Sequence, residues 1–301
     1  VRRASGEDAA GHHAASAGGG AHAPGDPSEL AGDSLAPERV LALVRGRFGR
    51  PYRYVRECAS TQLLLLGSEL PEGAVAVAEH QTAGRGRRGR SWLAPPGSSL
   101  LLSVLLRPPP ERRAPELSLV AALAVAAAIE AASGVPALVK WPNDVLVAGH
   151  KVAGILAELA EGAVVLGVGV NVRQEAEELP ADAPTPPGSL RTVAGTVPER
   201  ATLLAGILSE LERRYDLWRS GGLSPLAAEI EERDALRGRA VLVDGAHATA
   251  RGILPDGRLE IETAGGERRA LASGEVRVVL PEPTAGEGPL GRPVTDPDPR
   301  R

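Results

Sequence analysis

Four arginines, Arg85, Arg87, Arg88 and Arg90, stand among three glycines in residues 78–92, AEHQTAGRGRRGRSW. Guanidinium forks make bidentate, charge-assisted bonds to phosphate or carboxylate oxygens, and glycine lets a backbone approach its ligand closely. The segment therefore reads as a grip on an anionic small molecule. Gly84-x-Gly86-x-x-Gly89 also satisfies the dinucleotide-binding pattern, which requires a helix opening on the third glycine. Pro95 and Pro96 forbid a long helix there, and no acidic residue ends a second strand at the required distance. A solvated loop with non-specific affinity for nucleic acid is the competing reading. Trp92 suits either stacking on a base or packing into the core.

Residues 140–159, KWPNDVLVAGHKVAGILAEL, hold the only two lysines of the chain, Lys140 and Lys151, and one of its two asparagines, Asn143. The chain has 32 arginines, so a lysine kept in that background marks a place that needs a compact point charge. Pro142 cannot donate to a strand ladder, which frees Asn143 and Asp144 to face a ligand. A carboxylate beside a phosphate site commonly carries Mg²⁺. Lys151, followed by Gly154 where an absent side chain leaves room, can pair with a carboxylate and with the phosphate it attacks. An ordinary exposed hairpin with a turn lysine is the alternative. Residues 164–172, VVLGVGVNV, form an apolar strand pierced by Gly167 and Gly169 and ending in Asn171. Strand glycines mark either close approach of a ligand or a bulge.

These groups need a scaffold. A helical pattern covers 37–49, and a strand 52–57. Ser60 is placed as the N-cap of a helix over 61–70, stopped by Pro71. A strand at 74–79 leads into a loop over 80–97, and its glycine content implies disorder until a ligand binds. Residues 99–106 read as a strand and 115–132 as a buried helix ended by Gly134 and Pro136. Strands follow at 137–141, 144–147, 152–159 and 164–172, with a hairpin turn at 148–151. After a Pro-rich loop at 173–198 come helices at about 199–218 and 223–235. From Gly238, short strands separated by Asp244-Gly245, Asp256-Gly257 and Gly265-Gly266 imply a small antiparallel barrel ending near Leu280. The fold class is α+β with a mixed sheet, followed by a small all-β domain. The expected boundaries are a disordered tail at 1–36, a ligand-binding domain at 37–236, the barrel at 237–281, and a second disordered tail at 282–301.

Composition narrows the function. With one Phe, three Tyr and no Met in 301 residues, Ala, Val and Leu must fill the core. A net charge of −4 gives no footprint for bulk nucleic-acid binding. The single cysteine, Cys58, excludes a disulfide framework or a multi-Cys metal site and is expected to be buried. The six histidines are scattered and support no Ser/His/Asp arrangement. The longest apolar run, 117–132, carries Glu130 and falls short of the ~20 residues of a membrane span. No secretory h-region appears in 1–34. The expectation is a cytoplasmic protein with neither membrane nor nucleic-acid partners. The chain begins with Val and lacks Met, which places the expected true start downstream.

Taken together, Ser60-Thr61, GRGRRGR, KWPNDVLV…HKVAGIL and GVGVN resemble the biotin protein ligases, in the same order and over residues 52–280. The resemblance implies a catalytic domain of the biotin/lipoate ligase and class II aminoacyl-tRNA synthetase-like type, with a C-terminal Src-homology-3-like barrel. It implies that biotin's carboxylate attacks the α-phosphate of MgATP, and that a lysine of a biotin carboxyl carrier domain then takes the acyl group and releases AMP. The substrates are biotin and ATP, with no tightly bound prosthetic group. Carried over position by position, Ser60, Thr61, Gln62 and Gln81 bind biotin's ring, while Gly84, Arg85, Gly86 and Arg87 close over the ligand and Gly154 and Gly167 line its pocket. Trp92 stacks on adenine, and Arg87, Arg88, Lys140, Asn143, Asp144 and Asn171 serve the nucleotide, Asp144 with its Mg²⁺. Lys151 touches both substrates and, with Arg87 and Asp144, carries the catalysis. The implied partner is the carrier domain of acetyl-CoA carboxylase or a related enzyme, and the implied state a monomer or weak homodimer. Two departures stand out. Gln62 occupies a position where the family usually has Asn. Only about 35 residues precede Pro37, too few for the winged helix of bifunctional members, so neither DNA binding nor repression is expected.

Overall fold

The computed structural model describes residues 33–160 and 162–279. The expected tails therefore lie outside the described residues, apart from 33–36. There the expected boundary moves: Asp33 and Leu35 are buried.

A seven-stranded sheet forms the body. In chain order its strands are β1 (Tyr52–Cys58), β2 (Val75–Gln81), β3 (Ser99–Leu106), β4 (Ala137–Lys140), β5 (Asp144–Val147), β6 (His150–Ala160) and β7 (Ala163–Asn171). Their spatial order is β1-β2-β3-β7-β6-β5-β4. Only β1 and β2 run parallel, so the sheet is mixed. Among the described residues four α-helices accompany it: α1 (Pro37–Val40), α2 (Leu117–Ser133), α3 (Arg200–Gly221) and α4 (Ala227–Arg233). Helices α2 and α3 pack on each other and on one face of the sheet.

Strand alternation divides core from site. On β7, Val164, Leu166, Val168 and Val170 join the core beneath the helices, which leaves Gly167, Gly169 and Asn171 for the opposite face. On β3, Leu100, Leu102 and Val104 turn inward, and Ser103 answers Thr61 on the far side, Oγ to Oγ1, at 2.8 Å. Helix α2 lies in a segment, Ala114–Ser133, long and apolar enough to cross a membrane, but two thirds of that apolar window is buried in the protein. Gly134 ends it in the left-handed region at φ 71°, its N–H bonded to Glu130 O.

One irregularity matters for chemistry. Val145 pairs with Ala153 but Leu146 with Lys151, so Val152 is an extra residue in β6. Such a bulge re-aims neighbouring side chains. Here it brings Lys151 and Gly154, three positions apart, to the same face. The β5–β6 turn is Ala148-Gly149, with φ of 48° and 81°, the two-residue form whose twist suits a hairpin.

Two expected helices shrink. The 61–70 helix is only a 3₁₀ turn, Thr61–Leu64, and Ser60 makes no capping bond. The Thr61 N–H donates instead to Gln81 Oε1 at 2.7 Å, and the buried Ser60, Thr61 and Gln62 serve tertiary contacts. The 37–49 helix stops after Val40, before turns that bury Phe48. Cys58, expected in the core, is half-buried on edge strand β1.

Residues beyond Gly238 form a five-stranded antiparallel sheet. Its strands are β8 (Ala240–Val243), β9 (Ala246–Ile253), β10 (Leu259–Thr263), β11 (Arg268–Leu271) and β12 (Val276–Val278). They are ordered β11-β10-β9-β8-β12.

Candidate active site

A cavity of about 450 Å³ opens on the sheet face away from α2 and α3. Strands β6 and β7 form its floor, and the Gly/Arg loop one wall. Every expected site residue except Gly84 lines it. A methyl group on Gly84 would lie 2.3 Å from the Trp92 carbonyl oxygen, so this glycine lets the loop close on itself rather than touch a ligand. The loop is held by Trp92 N–H to Gly84 O at 2.9 Å and Gly86 N–H to Arg90 O at 2.7 Å.

Trp92 fills the room expected at Gly154. The two glycines Gly154 and Gly169 face each other across β6 and β7. Methyl groups there would lie 2.9 Å and 2.5 Å from the indole carbons. The indole therefore lies against the glycine pair, with Lys151 Nζ 5.8 Å from its ring centroid. Its N–H is buried without an acceptor. Gly167 is filled in the same way by Gln62, whose Nε2 donates to Leu156 O at 3.1 Å and Val165 O at 3.4 Å.

Lys151 and Asp144 form the charged centre, with Nζ 2.7 Å from Oδ1. The contact is one of charge without hydrogen-bond alignment, and Oδ1 is buried with no hydrogen-bond donor. The Lys151 backbone is pinned by its N–H to Pro186 O at 2.7 Å and by Gly188 N–H to its carbonyl at 2.9 Å. Asn143 braces the neighbouring turn. Its Nδ2 donates to Ile155 O at 2.8 Å, and its Oδ1 accepts from Arg87 Nη1 at 3.1 Å. Burial lowers the Arg87 pKa, an effect that Asp144 opposes.

The other cations differ in how they are held. Arg85 lies against Glu158, with nitrogen–oxygen distances of 2.9 and 3.1 Å. Arg88 reaches the small sheet at 3.7 Å from Glu275 and 3.9 Å from Asp244. Lys140 is 6% exposed, and burial depresses its pKa against the pull of Asp144. Asn171 lines the cavity but its amide is already engaged, donating to Gly188 O and accepting from Gln174 Nε2, each at 3.0 Å.

Among the described residues no three His, Cys, Asp or Glu side chains gather as a metal cage. A divalent ion held by Asp144 would draw its remaining ligands from phosphate oxygens and water. Sequence reasoning missed Gly169, the wall at 180–187 and Glu275 as lining residues. Gly169 carried the same strand-glycine signal as Gly167. The proline-rich stretch gave only a loop signal, and Glu275 none.

A mixed sheet that sets a lysine–carboxylate pair and an arginine loop around one cavity defines a ligand-binding α+β protein built for an anion. Residues 55–175 match the model of the Biotin/lipoate A/B protein ligase family. The chain is 40% identical over 215 residues to the biotin–[acetyl-CoA-carboxylase] ligase of Mycobacterium tuberculosis, covering 68% of this chain and 79% of that one. It is 37% identical over 219 residues to the bifunctional ligase/repressor of Bacillus spizizenii, covering 69% and 67%. Among solved structures, the biotin protein ligase from Aquifex aeolicus in complex with biotin and ATP superposes with a TM-score of 0.68 at 30% identity, covering 75% of this chain and 97% of that one. The chain belongs to the biotin/lipoate A/B protein ligase family.

Proposed function

We propose that the chain is an ATP-dependent biotin–[acetyl-CoA-carboxylase] ligase. The observation that carries this reading is the Lys151–Asp144 pair at 2.7 Å, set in one cavity with the arginine loop. The names of the relatives and the biotin and ATP of the Aquifex complex support it.

Biotin's carboxylate oxygen attacks the α-phosphorus of MgATP, the bond to the bridging oxygen breaks, and pyrophosphate leaves with the electron pair. A free carboxylate is a poor electrophile, and the resulting mixed anhydride is a good one. The ε-amine of a carrier-domain lysine then attacks the acyl carbon, an amide forms, and AMP departs. Lys151 offsets the negative charge that accumulates between carboxylate and α-phosphate. Asp144 orients Lys151 and would be the residue to hold the Mg²⁺ brought in with ATP, which would neutralise phosphate charge. Arg87, anchored on Asn143, and Arg85, released from Glu158, hold carboxylate and phosphate oxygens. Ser60, Thr61, Gln62 and Gln81 face the ring end of biotin, and the free face of Trp92 meets the nucleotide. Arg88 and Lys140 serve its phosphates. In this reading the sheet of β8 to β12 is the family's Src-homology-3-like barrel, spanning 237–281 after a catalytic domain that ends at 236.

Calorimetric titration with biotin, then with biotin and a non-hydrolysable ATP analogue, tests the reading. Saturable heat with biotin, and tighter nucleotide binding in its presence, is expected. No heat in either titration contradicts it.

A further inference from the structure

Lys151 sits just past the end of the ladder that should hold it. The pairing of β6 with β7 stops at Ala153 and Val170, short of Lys151. A strap at 186–188, outside the strings that carry the family resemblance, takes over there. Pro187 bridges Lys151 in parallel, through Lys151 N–H to Pro186 O at 2.7 Å and Gly188 N–H to Lys151 O at 2.9 Å.

One buried amide holds this strap from behind. Gln174 is 1% exposed and does not line the cavity. Its Nε2 donates to Asn171 Oδ1 at 3.0 Å and to Ser99 Oγ. Asn171 Nδ2 donates in turn to Gly188 O at 3.0 Å, and Ser189 Oγ donates to the Gln174 carbonyl at 2.7 Å. The chain of bonds has a fixed direction. Gly188 presents a carbonyl, so Asn171 turns its amide nitrogen to the strap and its oxygen to residue 174, which must answer with a donor. Gln174 supplies that donor although its own Oε1 is buried without one, a cost that a residue kept only for packing would avoid.

Resting on the ligase reading above, we propose that Gln174 is a positioning residue for Lys151. Through Asn171 and the strap it fixes the Lys151 backbone, and the bulge at Val152 then directs the side chain into the cavity. Lys151 offsets charge that develops during adenylation. A displaced Lys151 therefore costs turnover more than substrate binding.

Gln174→Met keeps the length of the side chain and removes both donors. Gly188→Ala disturbs the strap from its other side with Gln174 intact, since the new methyl would lie 2.7 Å from Val193 Cγ1 and 2.8 Å from His150 Cβ. In both variants kcat for biotin-dependent pyrophosphate release is expected to fall roughly tenfold or more, with KM for biotin and for ATP within about threefold of the wild type. The chain has only two lysines, so isotopically labelled lysine gives two sets of side-chain NMR signals, which Lys151→Ala assigns. Lys151 Nζ lies 5.8 Å from the Trp92 ring centroid, within reach of its ring current. The Lys151 ε-methylene signal is expected to move towards that of free lysine in both variants. The Lys140 signal keeps its position, which shows that the fold is intact. A loss of kcat with the Lys151 signal unmoved, a rise in KM alone, or an unchanged kcat overturns the assignment. A wild-type protein that releases no pyrophosphate with biotin, while its Lys151 signal still responds to Gln174→Met, overturns the ligase reading and leaves the hold on Lys151 standing.

Discussion

Two buried clusters of charge in this molecule are built to opposite rules. At the start of α3, Arg200 is fully buried and each of its guanidinium nitrogens has a partner. Its Nε meets Asp33 Oδ2 at 2.7 Å, Nη1 meets Glu79 Oε2 at 2.8 Å and Ser99 O at 3.0 Å, and Nη2 meets Asp33 O at 2.7 Å. The Arg200 backbone N–H donates to Asp33 Oδ1 at 2.8 Å. Across the sheet, the cavity keeps the Trp92 N–H without an acceptor and Asp144 Oδ1 without a hydrogen-bond donor. Burial alone does not separate a structural charge from a functional one. What separates them is where the open groups lie: Glu79 Oε2 and Arg173 Nε beside Arg200 are also buried without hydrogen-bond partners, but they line no part of the cavity, whereas Trp92 and Asp144 do.

The sharpest way to break the comparison is at Lys151. Lys151→Ala should reduce biotin-dependent pyrophosphate release by about a thousandfold or more while the melting temperature stays within a few degrees (about 2–3 °C) of the wild type. Undiminished release would remove Lys151 from the chemistry. The converse holds for Arg200. Arg200→Ala leaves the largely buried Glu79 without its ion pair and Asp33 with Arg173 alone, and should cost about 3–5 kcal/mol, a fall of about 10 °C in Tm. Activity per folded molecule should survive at temperatures well below the transition. Loss of activity without loss of stability would place Arg200 in the wrong cluster.

Gly169→Ala tests the floor between the two rules. Its new methyl would meet the Trp92 indole at 2.5 Å, shifting the ring while the core face of β7 stays unchanged. A roughly tenfold loss in kcat/KM, about 1.4 kcal/mol of transition-state binding, is expected, while the overpacking lowers Tm by about 3–6 °C. The smallest effect concerns pH. Folding lowers the Lys140 pKa through burial. Below its folded value the ammonium is charged in both states and its burial penalty is complete. As pH rises from the folded value towards the unfolded one, near 10.4, the unfolded chain binds more protons and stability rises. Melting curves of wild type and Lys140→Met should therefore converge as pH increases through that window. Curves that stay parallel would contradict a penalised charge at this position.

Much of the site was legible in the sequence because its chemistry is carried by contiguous strings. Lys151, Asp144 and Asn143 lie on one hairpin, and the arginines share one loop, so local spacing was enough to bring them together. The mixed α+β sheet followed from strands and helices with strong periodicity. What sequence could not give depends on pairing across distance. The bulge at Val152 appears only when β6 is laid against β5, and without it Lys151 and Gly154 would point to opposite faces. Gly154 reads in sequence as room for a ligand and Gly167 as a ligand's close approach or a bulge, yet what lies against them is Trp92 and Gln62 of the same chain. The 61–70 segment stops after one 3₁₀ turn, Thr61–Leu64, whose buried Thr61 and Gln62 are held by Gln81, Ser103 and the Leu156 carbonyl, partners 20 to 94 residues away in sequence. Glu275 reaches the cavity from the small sheet, and nothing in its local sequence marks that reach.

The most direct test of the central claim is pyrophosphate release, measured with purified protein and MgATP, with and without biotin. Release that requires biotin, and that disappears in Lys151→Ala while the variant remains folded, is the expected result. Release that is independent of biotin, or none with both substrates present, would contradict the assignment of this cavity to biotin activation.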